Sequence, residues 1–140
     1  MTSQPATTIE RSFAKDIGSI QEIFKFVEKF VESNSLDESI AYTIRFGVEE
    51  LFTNMVKYNP LKHDVTIRCA RMEEQVVITL IDVEAKPFDI TARKELDLTQ
   101  PLEHRSPGGL GIHLLKKMMD KMEYSHDGIR STITFTILLN

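Results

Sequence analysis

The chain has 140 residues, of which 41% are hydrophobic and 27% charged, and this is the composition of one globular domain of ordinary size. The formal net charge of −4 excludes the strongly basic field that holds a nucleic acid duplex, so no direct nucleic acid partner is expected. No apolar run approaches the roughly 20 residues that cross a bilayer, so no membrane partner is expected either. A single cysteine, Cys69, and the lack of a leader pattern predict a cytoplasmic protein.

The first part of the chain predicts one strand and two helices. Residues 1–8 are expected to be a flexible N-terminus, and residues 9–13 form a short strand. Asp16 then offers a cap to a helix with an apolar stripe at helical spacing. That stripe consists of Ile17, Ile20, Phe24, Val27 and Val31. Ser35 followed by Glu38 has the spacing of a capping box and predicts a second helix that ends near residues 58–60. Its stripe consists of Ile44, Val48, Leu51 and Met55.

The second part of the chain changes to a period of two, which is typical of strands. Residues 65–69 and 75–81 predict two antiparallel strands, and residues 87–109, with three of the five prolines, predict a long loop of the kind that often forms a lid. A helix over 111–122 and a hairpin over 124–139, turning at Asp127-Gly128, complete the chain. This order predicts an α+β fold with two layers, the helices packed on one face of a mixed, mainly antiparallel sheet.

The second predicted helix has a row of polar residues. Glu50, Asn54 and Lys57 are spaced by four and three residues and therefore share a face with Gly47. A solvated flank is the ordinary explanation. However, Asn and Gly are both poor residues inside a helix, which indicates that Gly47 permits a close approach and that Asn54 has a partner outside the helix. An amide oxygen suits Mg²⁺, and Glu50 one turn earlier could take a proton.

Two further features point to an anionic ligand or a purine. Gly108, Gly109 and Gly111 open a helix, where bare N–H groups can face an anion, although a simple hinge explains such a cluster equally well. Asp82 closes an apolar strand. It is either a turn residue or the acceptor for an exocyclic amine of the adenine type.

Taken together, these residues resemble a known family. The run from Glu50 to Asn54, an Asp-ended strand followed by residues 87–89, and the run Gly108-Gly109-Leu110-Gly111-Ile112 come in the same order as in the bacterial anti-sigma-factor serine/threonine kinases. These kinases belong to the histidine-kinase-like superfamily with the Bergerat ATP-binding fold. The resemblance extends from about residue 9 to the C-terminus and implies a single ATPase domain over 9–140, with an ATP lid near 90–108.

The resemblance implies a role for each matching residue. Glu50 is similar to the catalytic base, Asn54 to the Mg²⁺ ligand, and Lys57 to a basic residue that contacts phosphate. Asp82 is similar to the adenine-reading carboxylate. The other implied contacts of the ATP cofactor are Gly108, Gly109, Leu110, Gly111, Ile112 and Thr132.

The resemblance also implies partners and leaves alternatives open. It implies a phospho-acceptor protein (an anti-sigma-factor antagonist), a sigma factor or similar regulator, and a homodimer. The family has a glycine two residues after the adenine-reading Asp, whereas this chain has Glu84. Either a one-residue shift keeps Asp82 in place, or Val83 occupies that position and adenine recognition is weaker. A binding module with little or no catalysis is therefore the main alternative, and a metabolic enzyme of another α+β fold is a more distant one.

Overall fold

The computed structural model describes residues 7–58, 63–83 and 109–139. Its strands are β1 (Thr7–Phe13), β2 (Val65–Arg71), β3 (Gln75–Val83), β4 (Lys121–His126) and β5 (Arg130–Leu138). Its helices are α1 (Ile20–Ser33), α2 (Glu38–Tyr58) and α3 (Gly109–Met118), and a 3-10 turn over Ile17–Ser19 precedes α1. The predicted lid near 90–108 lies outside the described residues. None of the helices in the described ranges is long and apolar enough to cross a membrane.

The five strands form one sheet in the order β1-β2-β3-β5-β4. Each pairing between described neighbours is antiparallel, which confirms the predicted mainly antiparallel sheet. The predicted hairpin at the end of the chain is also confirmed. Its turn is held by the Asp127 carboxylate, which accepts hydrogen bonds from the N–H groups of Ile129 (2.9 Å) and Arg130 (2.7 Å), with Gly128 at φ +96°.

The core lies between the helices and one face of the sheet, so the predicted two-layer α+β architecture is confirmed. Alternate residues of the strands point to this face because side chains alternate along a strand. Facing pairs such as Ile78 with Phe135 and Leu80 with Ile133 are fully or almost fully buried. The helices contribute residues such as Phe30 and Phe52 to the same core.

Three local predictions about the helices are wrong. Ile17 is 54% exposed and lies in the 3-10 turn. Val27 and Val31 are buried as predicted, and the rest of the buried side of α1 consists of Ile23, Phe26 and Phe30. The cap of α2 is Asp37, whose carboxylate accepts from Ile40 N at 2.9 Å. Ser35 cannot start the helix because its φ is +49°.

The third correction concerns the end of α3, which was predicted to reach residue 122. The helix ends at Met118, and Met122 lies in β4 directly across from Phe135. Asp120 starts this pairing, since its N–H donates to Thr136 O at 3.0 Å and its carboxylate accepts from Leu138 N at 2.7 Å. The methionine spacing fits both a helix and a strand that faces the core, and pairing with β5 decides between them.

Candidate active site

The site is built on the middle of α2, where the polar row partly faces the interior. Asn54 is only 6% exposed. Its Nδ2 donates to the backbone oxygen of Glu50 at 2.6 Å, and because a carbonyl can only accept, this bond fixes which end of the amide is nitrogen. The Oδ1 atom is buried and has no hydrogen-bond partner among the described residues. A buried acceptor without a donor is costly in a folded protein, so this oxygen is suited to a ligand or a cation.

The Glu50 carboxyl lies one turn before Asn54 and is partly buried. Loss of hydration raises the pKa of Glu50, and the nearby charge of Glu49 raises it further. Hydrogen bonding from Asn54 and the positive charge of Lys57 act in the opposite direction but do not cancel the rise. A carboxylate with a raised pKa is a better proton acceptor, which is the property required of a general base.

Helix α3 meets α2 at this carboxyl. A Cβ atom built on Gly111 would lie 2.2 Å from the Glu50 Cδ and Oε1 atoms, so only glycine leaves room for the carboxyl group there. Gly111 is in the first turn of α3, where backbone N–H groups have no partner within the helix. The structure therefore brings the polar row on α2 together with the glycine cluster, through Glu50 and Gly111, which are 61 residues apart in the sequence.

Gly47 is the second close approach, on the turn before Glu50. A Cβ atom at this position would lie 2.8 Å from Met119 Cε and 2.8 Å from Phe135 Cζ. The backbone of α2 at Gly47 thus lies directly against two side chains, those of Met119, which follows α3, and of Phe135 in β5. The predicted close approach at Gly47 is confirmed.

The donor set at Asn54 fits a Mg²⁺ ion of a particular kind. The described residues contain no group of three or more His, Cys, Asp or Glu side chains that could hold a metal ion. A neutral amide oxygen alone would therefore suit an ion that takes its other ligands from substrate phosphates and water, which is how Mg²⁺ is commonly held. Lys57 is exposed near the end of α2, where a phosphate contact is possible.

Asp82 lies near the end of β3, the central strand of the sheet, and is buried instead of lying in a solvated turn. It is the second-last residue of β3 and points to the helix-covered face. Its Oδ1 lies 2.5 Å from the Nζ of Lys15, and both side chains are only 2% exposed. Lys15 was not predicted from the sequence as a site residue. Its burial could have been expected from its spacing, because Lys15 follows Phe13 by two residues and so continues the buried side of β1.

Thr132 is not brought together with Asp82. It pairs with Ile81, so its side chain lies on the opposite face of the sheet. Ser131 is the residue directly across from Asp82, is buried, and has its Oγ 3.3 Å from the hydroxyl of Tyr124. Ser131, and not Thr132, is therefore the β5 residue on the same face as Asp82, and the predicted position differs by one residue of register.

The other predicted contacts lie in or before the first turn of α3. Gly109 is the first residue of this helix, and the backbone of Leu110 and Ile112 continues it. The side chains of Leu110 and Ile112 lie outside the described part of the structure, as does Gly108.

Comparison with known proteins decides the family. The model of the histidine kinase-like ATPase domain matches residues 13–137. The chain belongs to this ATPase family. The match includes α2, β3 and α3, which contain Glu50, Asp82 and Gly111, and it supports ATP binding as a family property.

The relatives of this ATPase domain agree with the resemblance described above. The chain is 28% identical over 90 residues to serine-protein kinase RsbW of Bacillus cereus and 27% identical over 90 residues to RsbW of Bacillus mycoides. Each alignment covers 60% of the chain and 56% of the relative, so the chain matches little more than half the length of these kinases.

Two solved structures share the fold of this ATPase domain. The RsbU and RsbW domains of a Mycobacterium tuberculosis protein align with a TM-score of 0.67 and 14% identity, covering 96% of this chain and 33% of that one. A chain of the SiaB–SiaC complex from Pseudomonas aeruginosa aligns with a TM-score of 0.66 and 18% identity, covering 92% and 88%. The predicted resemblance to the anti-sigma-factor kinase family is confirmed.

Proposed function

We propose that this domain is an ATP-dependent serine/threonine kinase and regulatory factor. It binds ATP with Mg²⁺ between α2 and the start of α3 and phosphorylates a serine or threonine of an antagonist protein. The observation that supports this most directly is the buried, unpartnered Asn54 Oδ1 one turn from Glu50, a carboxylate with a raised pKa. A cation ligand beside a proton acceptor is the pair of groups that phosphoryl transfer to a hydroxyl requires.

The residues of α2 and α3 then have separate tasks. Asn54 Oδ1 holds the Mg²⁺, which when bound neutralises charge on the phosphates. Lys57 lies on the same face of α2 and contacts a phosphate oxygen. Glu50 accepts the proton of the incoming serine or threonine hydroxyl, and the oxygen of that hydroxyl forms a bond to the γ-phosphorus. The bond from that phosphorus to the bridging oxygen of ADP breaks, which leaves a phosphoserine or phosphothreonine, ADP and a protonated Glu50.

The choice of partners is supported by the relatives. The serine-protein kinases RsbW are relatives, and a chain of the SiaB–SiaC complex is a structural neighbour, which supports a protein as the phosphoryl acceptor. We propose an anti-sigma-factor antagonist for this role. The same domain would sequester a sigma factor or similar regulator as a cytoplasmic homodimer, and phosphorylation of the antagonist would decide which partner it holds.

The test is transfer of labelled γ-phosphate from ATP to a candidate antagonist. Glu50→Gln should lower the transfer rate by about 10²-fold or more, because positioned proton transfer contributes about 10²–10⁴-fold. Asn54→Ala should lower it as well. Glu32→Gln is the matched control, since Glu32 is an exposed glutamate of α1 and its variant should keep the parent rate. If the Glu50 and Asn54 variants transfer phosphate as fast as the parent, the assigned roles are wrong.

A second candidate function has one observation in its favour. Asp82 is held by Lys15, and an adenine-reading carboxylate already in an ion pair would suit a binding module that makes little use of ATP. A thermal melt separates the two functions. Binding at 100 times the Kd stabilises a protein by about 2.7 kcal/mol, so a kinase should melt higher in millimolar ATP and Mg²⁺, whereas a module without nucleotide binding should not.

A further inference from the structure

The ion pair between Lys15 and Asp82 is the feature that the proposed function leaves unexplained. Both side chains are 2% exposed, and Nζ lies 2.5 Å from Oδ1. Lys15 comes from the segment after β1, and Asp82 lies near the end of β3, so the pair reaches across β2, whose first residue Val65 lies opposite both Phe13 and Asp82. The inference below rests on the proposed nucleotide site, with Asp82 as the group that reads the base.

The amine of a purine base would donate to the same Asp82 carboxylate that Lys15 contacts. An amine hydrogen of a purine is a neutral donor, whereas the lysine ammonium is charged, and a charged donor forms the stronger bond to a carboxylate. The paired carboxylate is almost completely shielded from solvent, and a base that bonds to its Oδ1 atom must displace the ammonium. The base and Lys15 therefore compete for one acceptor.

The backbone around Lys15 is held in place, so release of Asp82 requires a movement of the lysine side chain. The segment around Lys15 is held by Asp16 N, which donates to Ala14 O at 2.8 Å, and by Ser19 Oγ, which donates to the same oxygen at 2.7 Å. Phe13 is fixed in the core against Phe26, with ring centroids 5.4 Å apart. The lysine side chain has four carbons and several rotatable bonds, so rotation of that chain is the smallest movement that would release Asp82.

We propose that Lys15 is a specificity-determining residue that acts as an internal competitor of the nucleotide base. It reduces the share of ATP affinity that comes from the base and leaves the share that comes from the triphosphate unchanged. The apparent Kd for ATP is then the intrinsic Kd divided by the fraction of molecules in which Asp82 is released.

The experiment measures how much the base adds to binding. Calorimetry in Mg²⁺ gives the Kd of ATP and of inorganic tripolyphosphate, which has no base, for the parent, Lys15→Met and Lys15→Gln. Both variants lack the ammonium, and Lys15→Gln keeps a polar side chain that can donate to Asp82 if Lys15→Met does not fold. Lys25→Met is the control for loss of one positive charge, because Lys25 is 76% exposed on α1.

The expected result is ATP binding at least tenfold tighter in the Lys15 variants, with tripolyphosphate binding unchanged and the control equal to the parent. A simple charge effect predicts the opposite, since removing a cation weakens the binding of both anions. Unchanged or weaker ATP binding in folded Lys15 variants would overturn the competition and leave the proposed kinase standing. If neither the parent nor any variant binds ATP, the proposed function fails and this inference fails with it.

Discussion

Replacement of Gly111 by alanine should lower the rate of phosphate transfer and change the stability of the domain very little. The new Cβ would lie 2.2 Å from the Glu50 carboxyl, so one of the two groups must move. The obstructing atoms are the end of a flexible side chain, and the carboxyl can rotate away from α3. Alanine in a helix is more favourable than glycine by up to about 1 kcal/mol. The raised pKa of Glu50 means that its site does not favour the charged carboxyl, so little is lost when the carboxyl leaves.

Both effects are small, so the free energy of unfolding of Gly111→Ala should stay within about 1 kcal/mol of the parent, which is a change in Tm of at most roughly 2–4 °C. The carboxyl of Glu50 should change much more. Burial raises its pKa in the parent, and a carboxyl moved out toward solvent should titrate nearer its ordinary value. Phosphate transfer should fall because the proton acceptor is displaced.

A urea melt and a carbon-detected NMR titration of the glutamate carboxyls test this, with Glu50→Gln used to assign the Glu50 signal. A destabilisation above about 2 kcal/mol would show that the Glu50 side chain cannot leave, because only a fixed obstruction is that costly. An unchanged pKa of Glu50 in a stable variant would show that the carboxyl does not lie against Gly111. The first result refutes the assumed freedom of the Glu50 carboxyl, and the second refutes the proposed packing of α2 on α3.

Three other substitutions or reactions test separate parts of the structure. Gly47→Ala gains about 1 kcal/mol of helix propensity but overpacks Phe135 at a cost of about 1–3 kcal/mol, so urea melts should show a net loss, and a gain would contradict the close approach. Glu50→Gln should be more stable than the parent near pH 7. The native state of the parent favours the protonated Glu50 carboxyl. This preference adds to the free energy of unfolding below about pH 4 and is lost as the pH rises through the raised pKa. Melts at several pH values should therefore show the difference grow with pH, and a difference independent of pH would argue against burial of Glu50. Burial raises the pKa of the Cys69 thiol to about 12, so a thiol reagent at pH 8 should label Cys69 only after unfolding.

Much of the fold could be predicted because hydrophobic periodicity reflects burial. The strands around Ile78 and Phe135 alternate as their positions in the sheet require. Errors occurred where two periodicities coincide, as at Met122, or where local backbone conformation decides, as at Ser35 with its positive φ. Pairing with a distant strand and the φ of a single residue are not encoded in a local pattern.

The candidate site was predictable where one element contains several of its residues. Glu50, Asn54 and Gly47 share α2, so their spacing alone placed them together. The partner of Asp82 was not predictable in this way, because Lys15 and Asp82 are 67 residues apart and meet only through the register of β1, β2 and β3. The same lack of register information led to Thr132 instead of Ser131.

The contact of Gly47 with Phe135 has a consequence for how a ligand would be recognised. It places the backbone of α2 against the Phe135 side chain of β5, and β5 is paired along its length with β3. Asn54 and Asp82 therefore lie on elements that pack or pair with β5, so the fold sets the span between them. A ligand that reaches only one of these residues gains nothing from the other. Under the proposed function, cooperation between the phosphate end and the base end comes from the covalent length of the nucleotide, which makes the domain selective for molecules of one size.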